Sequence, residues 1–176
     1  MKTGIIVLVA LAALAFLAFR FVYNGKSKTL RIGDKMPIFE LPDQDGNDFN
    51  IKKLVGKNNL VVYFYPKDDT PGCTKEACAF RDQFEAFSDL DAVVIGISGD
   101  SPESHREFRE KHNLPFTLLS DEEDMVHDLF GVKSGLIPGR VTFVVDKKGI
   151  IKYTFDSMMN ATQHVEEAKK ILQDLG

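Results

Sequence analysis

Short apolar runs and helical apolar spacings divide this chain into alternating strands and helices. Buried strands are predicted at residues 60–65, 92–98, 116–119 and 141–145, and a further strand at 150–155 pairs with the last of these across the turn at 146–149. A short hairpin is predicted from residues 38–41 and 49–51 around a polar turn at 43–47. Helices are predicted from about residue 71 to 87, 101 to 112, 125 to 130 and 161 to 175. This alternation around a mixed sheet indicates an α/β sandwich.

The segment from Tyr63 to Asp82 has the clearest chemical character. A strand ending in YFYP is followed by a helix that starts in TPGCTKEACAFRD. Thr70 suits the N-cap, Pro71 suits the first helical position, and Gly72 allows a close approach of the backbone to a bound group. Cys73 then lies in the first turn, where backbone N–H groups and the helix dipole favour a thiolate. We therefore expect it to ionise more readily than a free thiol.

The second of the two cysteines, Cys78, lies on another side of the same helix. At 100° per residue it is about 140° from Cys73, on a polar side. Cys73 instead shares an apolar stripe with Ala77, Phe80, Phe84 and Phe87. Positions five apart in an intact helix have Cα atoms roughly 8 to 9 Å apart, beyond the limit of about 7 Å for a disulfide. A bond between the two sulfurs would therefore require the first turns to unwind.

The motif PKDDTPGC, with a second cysteine five residues later, resembles the active site of the peroxiredoxins, in particular the Q-type, or bacterioferritin comigratory, branch. The resemblance extends over residues 32–176 and includes GDKMPIFELPDQDG, VIGISGDSPESHREF and LPFTLLSD in the expected order. It implies a thioredoxin fold and a thiol-dependent peroxidase. The implied substrates are hydrogen peroxide and organic hydroperoxides, and no cofactor is expected.

The same resemblance implies a role for each residue of the site. Cys73 is the implied peroxidatic nucleophile and Cys78 the resolving thiol, so that they form an intrachain disulfide that thioredoxin reduces. Thr70 is expected to hydrogen-bond the peroxide, and Arg140 to hold the thiolate ionised. Pro66, Pro71 and Gly72 are expected to line the substrate site. Since an intrachain pair needs no partner subunit, a monomer is expected.

The residues taken alone leave other interpretations open. Thr70 can be only an N-cap, and Arg140, which opens the strand at 141–145, would ordinarily be a solvated strand end. A lone cysteine on an apolar stripe is more often an inert core thiol, although the position of Cys73 at a helix start and the nearby Cys78 favour reactivity. The alternative functions are thiol–disulfide exchange without peroxide chemistry, against which the missing CxxC counts, and a peroxide sensor without turnover.

A second pattern lies at the N-terminus, where residues 4–19 carry no charge and apolar character continues from 21 to 23. We interpret residues 1–23 as a single transmembrane helix that anchors the chain, residues 24–31 as a tether and residues 32–176 as one catalytic domain. The basic residues after the run favour a catalytic domain on the cytoplasmic side of the membrane. The alternative is a signal peptide, cleaved near Ala13-Leu14-Ala15, and an exported protein.

Charge and composition exclude further classes of partner. With 27% charged residues and a net charge of −4, the chain has no basic surface for nucleic acid. Its four histidines have no HxxH or HExxH spacing, so no metal site is predicted.

Overall fold

The computed structural model describes residues 29–133, 136 and 138–175. The strands are β1 (Glu40–Pro42), β2 (Asp48–Asn50), β3 (Asn59–Phe64), β4 (Ala92–Ser98), β5 (Thr117–Ser120), β6 (Val141–Val145) and β7 (Ile151–Asp156). The α-helices are α1 (Pro71–Asp82), α2 (Phe84–Asp89), α3 (Pro102–His112), α4 (Met125–Phe130) and α5 (Ala161–Leu175), and a 3-10 turn covers Ile51–Lys53.

The central sheet has five strands in the order β5-β4-β3-β6-β7. Strands β3, β4 and β5 run parallel, whereas β6 is antiparallel to both β3 and β7. Strands β1 and β2 form the predicted hairpin beside the sheet. The architecture is therefore the mixed sheet flanked by helices that the alternation of strands and helices predicts.

Strand β3 runs through the middle of the sheet and is buried on both faces. Because successive side chains point to opposite faces, Leu60, Val62 and Phe64 enter the core that α4 covers, together with Val126 and Phe130. Val61 and Tyr63 enter the opposite core, which is completed by residues of α1, α2, α3 and α5. The helix that carries Cys73 is therefore held on one face of the sheet by an apolar core.

The predicted cysteine helix is in fact two helices. Helix α1 ends at Asp82, Gln83 adopts φ −111° and ψ 12°, and α2 begins at Phe84. Phe80 and Phe87 are both fully buried and their ring centroids lie 5.6 Å apart, whereas Phe84 is only partly buried. The prediction of one continuous helix was wrong because the apolar spacing is preserved across the break and gives no sign of it.

The predicted transmembrane helix falls at residues 1–23, outside the described residues. Within 29–133, 136 and 138–175, no helix is both long enough and apolar enough to cross a bilayer. The described part begins packed against the domain, since the Leu30 N–H donates to the Phe130 carbonyl at 3.2 Å and the Thr29 hydroxyl donates to the Gly131 carbonyl at 3.3 Å.

Gly96 in β4 gives a test of the core around Tyr63. A Cβ at this position would lie 2.7 Å from the Tyr63 hydroxyl and 2.8 Å from Leu118 Cδ2, so Gly96→Ala is expected to lower the free energy of unfolding by about 1–3 kcal/mol. Gly99→Ala is the matched control, because its Cβ would meet nothing closer than the Asp121 carbonyl at 3.9 Å. Urea denaturation measures both, and equal losses in the two variants would contradict the packing argument.

Candidate active site

The site lies where the carboxyl end of β3 meets the beginning of β6. These strands are antiparallel, and Phe64, the last residue of β3, pairs with Val141, the first residue of β6. The residue before Val141 is Arg140, so the register brings it beside the segment that leaves β3 and enters α1. No sequence spacing carries this information, because the pairing joins residues 77 positions apart.

The first turn of α1 contains the residues that the sequence assigns to a helix start. Thr70 has the extended backbone of an N-cap (φ −80°, ψ 147°), Pro71 follows it, and Cys73 is 1% exposed. The Thr70 side chain, however, makes no capping hydrogen bond. Its hydroxyl donates instead to the Lys67 carbonyl at 3.0 Å. The N-cap position is therefore as predicted, whereas the side chain bonds the preceding loop.

Arg140 is buried, with 4% of its surface exposed, and its guanidinium contacts two other segments of the chain. Its Nη2 donates to Cys73 Sγ at 3.3 Å, its Nη1 donates to Glu76 Oε2, and its Nε donates to the Met158 carbonyl at 3.2 Å. The expectation of a solvated strand end does not hold. The guanidinium is therefore placed to stabilise negative charge at this sulfur through a charge-assisted hydrogen bond.

Gly72 is close to this guanidinium rather than to an open space. A Cβ at Gly72 would lie 3.0 Å from Arg140 Nη2, a separation tighter than most real contacts. Glycine therefore allows Arg140 to approach the first turn of α1 and reach Cys73.

Glu76 is a member of the site that the sequence interpretation missed. It is fully buried on α1, one turn after Cys73, and it accepts from Nη1 of Arg140 while the thiol accepts from Nη2. Its other carboxylate oxygen, Oε1, has no hydrogen-bond partner among the described residues. A signal was present in the sequence, because Glu76 occupies the apolar stripe of Cys73, Ala77 and Phe80, where a charge needs a buried partner.

Burial raises the pKa of Glu76 to about 8, and the nearby Arg140 offsets only part of this effect. The pKa of Arg140 is also raised: its burial alone would lower it, but the negative charges of Glu76 and Cys73 outweigh that cost. Since arginine stays protonated in proteins, the carboxyl is the member of this pair whose charge changes with pH.

His164 and Thr142 lie behind Glu76. His164 Nε2 lies 2.9 Å from the Ser157 carbonyl, which can only accept, so Nε2 carries the hydrogen. Nδ1 then accepts from the Thr142 hydroxyl at 2.8 Å and lies 3.7 Å from Glu76 Oε1. Burial, followed by the charge of Arg140, lowers the pKa of His164 to about 4, although its bond to Ser157 opposes this shift. The imidazole is therefore neutral.

The remaining predicted site residues lie farther out. Cys78 is half-buried on α1, and both cysteines are free thiols in an intact helix. Pro71 is exposed at the helix start. Pro66 is half-buried and lines a cavity of about 310 Å³ with Gly99, Asp100 and Pro138. In the part of the chain that the structure describes, no cluster of histidine, cysteine or acidic residues could hold a metal ion.

Comparison of the sequence with known proteins identifies the family to which the chain belongs. Residues 32–154 match the model of the AhpC/TSA family. The chain is 49% identical to "Peroxiredoxin Q, chloroplastic" of Populus jackii over 146 residues, which are 81% of this chain and 68% of the relative. It is also 49% identical over 146 residues to the protein of the same name from Sedum lineare, with 81% and 78% of the two chains covered.

Solved structures agree with this result. Peroxidoxin BcpB of Mycobacterium tuberculosis superimposes with a TM-score of 0.80 at 36% identity, over 84% of this chain and 99% of that one. A cysteine-to-serine mutant of PrxQ from Xylella fastidiosa superimposes with a TM-score of 0.77 at 26% identity, over 85% and 99% of the two chains. The predicted thioredoxin fold and the predicted Q-type peroxiredoxin resemblance are confirmed.

The predicted location is contradicted by the same comparison. The relatives are named as chloroplastic proteins, which disagrees with a single-pass membrane-anchored protein facing the cytoplasm and with an exported one. That prediction was wrong. It rested on the apolar run at residues 4–19 and the basic residues after it, and hydropathy measures only the length and apolar character of a segment. It carries no information about the compartment.

Glu76→Gln tests the buried carboxyl without removing the acceptor for Arg140. Because the folded-state pKa is raised, the contribution of Glu76 to stability is fully present below about pH 4.5 and is lost as the pH rises through about 8. The melting temperature of the unmodified chain should therefore fall relative to that of Glu76→Gln across this range. The control is Glu85→Gln, an exposed position, for which the difference should stay constant. A constant difference for Glu76→Gln as well would refute the raised pKa.

Proposed function

The chain belongs to the AhpC/TSA family and is a thiol-dependent peroxidase of the peroxiredoxin Q kind, and from this premise we propose that Cys73 is its peroxidatic nucleophile and Cys78 its resolving thiol. The proposed catalytic domain comprises residues 32–176. The observation that carries the assignment is the Arg140 guanidinium donating to Cys73 Sγ at 3.3 Å in the first turn of α1. The half-buried Cys78 lies beyond the first turn of α1, and the cation beside it is the partly exposed Arg81, which also pairs with Asp82.

In the first step the Cys73 thiolate attacks one oxygen of a hydroperoxide ROOH. A sulfur–oxygen bond forms, the O–O bond breaks, and the departing RO⁻ takes a proton to become ROH, leaving Cys73 as a sulfenic acid. The sulfur is oxidised by two electrons and the peroxide is reduced by two. Arg140 stabilises the thiolate and then the negative charge that moves onto the leaving oxygen.

Thr70 has a defined part in holding the peroxide. Its hydroxyl hydrogen is directed at the Lys67 carbonyl, so its oxygen presents lone pairs and accepts a hydrogen bond from the O–H of the peroxide. Arg140 has five N–H groups, three of which make the contacts described above, and it donates to the peroxide oxygens. An acceptor and a donor therefore orient the O–O bond over the sulfur.

In the second step the Cys78 thiol condenses with the sulfenic acid, forming the disulfide and releasing water. The two sulfurs lie on different sides of α1, so this step requires the start of the helix to unwind. An external dithiol then reduces the disulfide by exchange and is itself oxidised to a disulfide. We assign this role to thioredoxin. Since both cysteines belong to one chain, a monomer can complete the cycle.

The proposed substrates are hydrogen peroxide and alkyl hydroperoxides. The solved bacterioferritin comigratory protein of Xanthomonas campestris, 26% identical to this chain, is described as having alkyl peroxide reduction activity. Thr70 and Arg140 address only the O–O–H group, so the proposed recognition does not depend on the organic substituent.

Cys73→Ser is expected to reduce peroxide consumption at least about 100-fold, because a serine hydroxyl is not ionised at neutral pH and cannot replace the thiolate. The assay follows loss of hydrogen peroxide and of tert-butyl hydroperoxide in the presence of thioredoxin, thioredoxin reductase and NADPH. Normal turnover by this variant would refute the assignment of the nucleophile.

Cys78→Ser is expected to keep the first oxidation of Cys73 within about threefold of the unmodified rate but to lose turnover with thioredoxin. Its sulfenic acid should accumulate and proceed to the sulfinic acid, which intact-mass spectrometry and dimedone trapping detect. In the unmodified chain the same mass analysis should find a Cys73–Cys78 crosslink. Unchanged turnover in the variant would exclude Cys78 as the resolving thiol. Oxidation of Cys73 by peroxide without multiple turnover in the presence of any reductant would indicate a sensor instead.

A further inference from the structure

The loop between β3 and α1 contains a buried carboxylate that the proposed chemistry does not use. Asp68 is 6% exposed, although its neighbours Lys67 and Asp69 are both exposed. Its Oδ1 accepts from the Tyr65 hydroxyl at 2.8 Å. Its Oδ2 accepts from the Ser104 hydroxyl at 2.8 Å and lies 2.8 Å from His105 Nδ1. A buried carboxylate with this many partners holds the loop in one position against α3.

His105 is fully buried, and its two ring nitrogens face oxygen atoms. Nε2 lies 3.2 Å from the Leu119 carbonyl, which can only accept, so this nitrogen carries a hydrogen. A second hydrogen must lie between Nδ1 and Asp68 Oδ2, because two lone pairs would otherwise face each other at 2.8 Å. Asp68 and His105 are therefore joined by a buried hydrogen bond between the loop, α3 and β5.

The contacts of the Asp68 side chain fix the orientation of the peptide group between Lys67 and Asp68. The Lys67 carbonyl and the Asp68 N–H belong to one planar unit, so they cannot turn independently. The Asp68 N–H donates to Asp100 Oδ2 at 2.8 Å, and the same Asp100 oxygen accepts from the Ser98 hydroxyl at 2.7 Å. At the other end of the plane, the Lys67 carbonyl accepts from the Thr70 hydroxyl. The orientation of this plane therefore decides where the Thr70 hydroxyl hydrogen points.

We propose that Asp68 is a positioning residue for peroxide recognition. His105 and Ser104 fix the Asp68 side chain, and Asp68 in turn fixes the Lys67–Asp68 peptide plane. The Lys67 carbonyl of this plane orients the Thr70 hydroxyl so that its lone pairs face the peroxide. The proposal rests on the role of Thr70 in the proposed function. It separates two tasks within the site. Arg140 stabilises the thiolate directly, whereas Asp68 acts only through Thr70 and so affects the reaction with peroxide alone.

Asp68→Ala is the first test. It should lower the rate constant for oxidation of Cys73 by hydrogen peroxide about 10- to 100-fold, the effect of misplacing one orienting group. Alkylation of Cys73 by iodoacetamide at the same pH should change less than about threefold, because this reaction needs the thiolate and not Thr70. Asp68→Asn should recover most of the peroxide rate, since its amide can donate to His105 Nδ1 and still accept from Tyr65.

The control in the same loop is Asp69→Asn. Asp69 pairs with Lys111 at 2.8 Å, but its side chain is 47% exposed, so the change should alter the peroxide rate less than about twofold. Asparagine also tolerates the positive φ of 56° at this position. A loss in Asp69→Asn as large as that in Asp68→Ala would mean that any change in the loop is sufficient, and would overturn the assignment to Asp68.

A double-mutant cycle decides whether Asp68 acts through the threonine. In a Thr70→Val background, Asp68→Ala should cost less than about a further threefold in the peroxide rate. Multiplying effects would overturn the proposal, as would an equal loss of alkylation and oxidation in Asp68→Ala. If Asp68→Ala does not fold, Asp100→Ala removes the acceptor at the other side of the same peptide plane and should show the same selective loss.

The outcomes also separate this proposal from the proposed function. A normal rate of oxidation by peroxide in Thr70→Val would refute the role of Thr70 in the proposed function. A strong loss in Thr70→Val with none in Asp68→Ala would refute only the positioning role.

Discussion

The site depends on one buried guanidinium that joins three separate segments of the chain. Arg140 enters from the start of β6, Cys73 and Glu76 from α1, and the Met158 carbonyl from the connection between β7 and α5. A buried cation is costly unless its hydrogen bonds and charge are satisfied, so each segment is held by the requirement that Arg140 be paired. The contact of the Cys73 sulfur with Arg140 is therefore tied to the register of the sheet, because the pairing of Phe64 with Val141 places Arg140.

Two ionisable groups of α1, the Cys73 thiol and the Glu76 carboxyl, contact this single positive charge. Nη2 of the guanidinium donates to Cys73, and Nη1 donates to the fully buried Glu76. Burial raises the pKa of Glu76 to about 8, so much of that carboxyl keeps its proton at neutral pH. A protonated Glu76 competes less with Cys73 for the positive charge of Arg140. The neutral His164 beyond Glu76 adds no competing positive charge.

Local signals were sufficient for most elements but not for the contacts between them. The bounds of β4, α4, β6 and α5 follow from apolar runs, helix-start residues and flanking turns, all of which are read within a dozen residues. The contact of Arg140 with Cys73 depends on strand register, for which the sequence alone gives no rule. The place of Glu76 on the apolar stripe of α1 is a local sign of its burial, whereas the burial of Asp68 and His105 becomes evident only when their partners are known.

The break at Gln83 limits how far disorder in the cysteine helix can spread. Helix formation is cooperative, so one continuous helix from Pro71 to Asp89 would unfold as a single unit more readily than two separate helices would. Helix α1 instead ends at Asp82, and α2 is anchored independently by the fully buried Phe87. The non-helical backbone of Gln83 therefore keeps the unfolding of α1 from continuing into α2. Unravelling that starts at Pro71 can release both sulfurs while the aromatic core beneath α2 stays assembled.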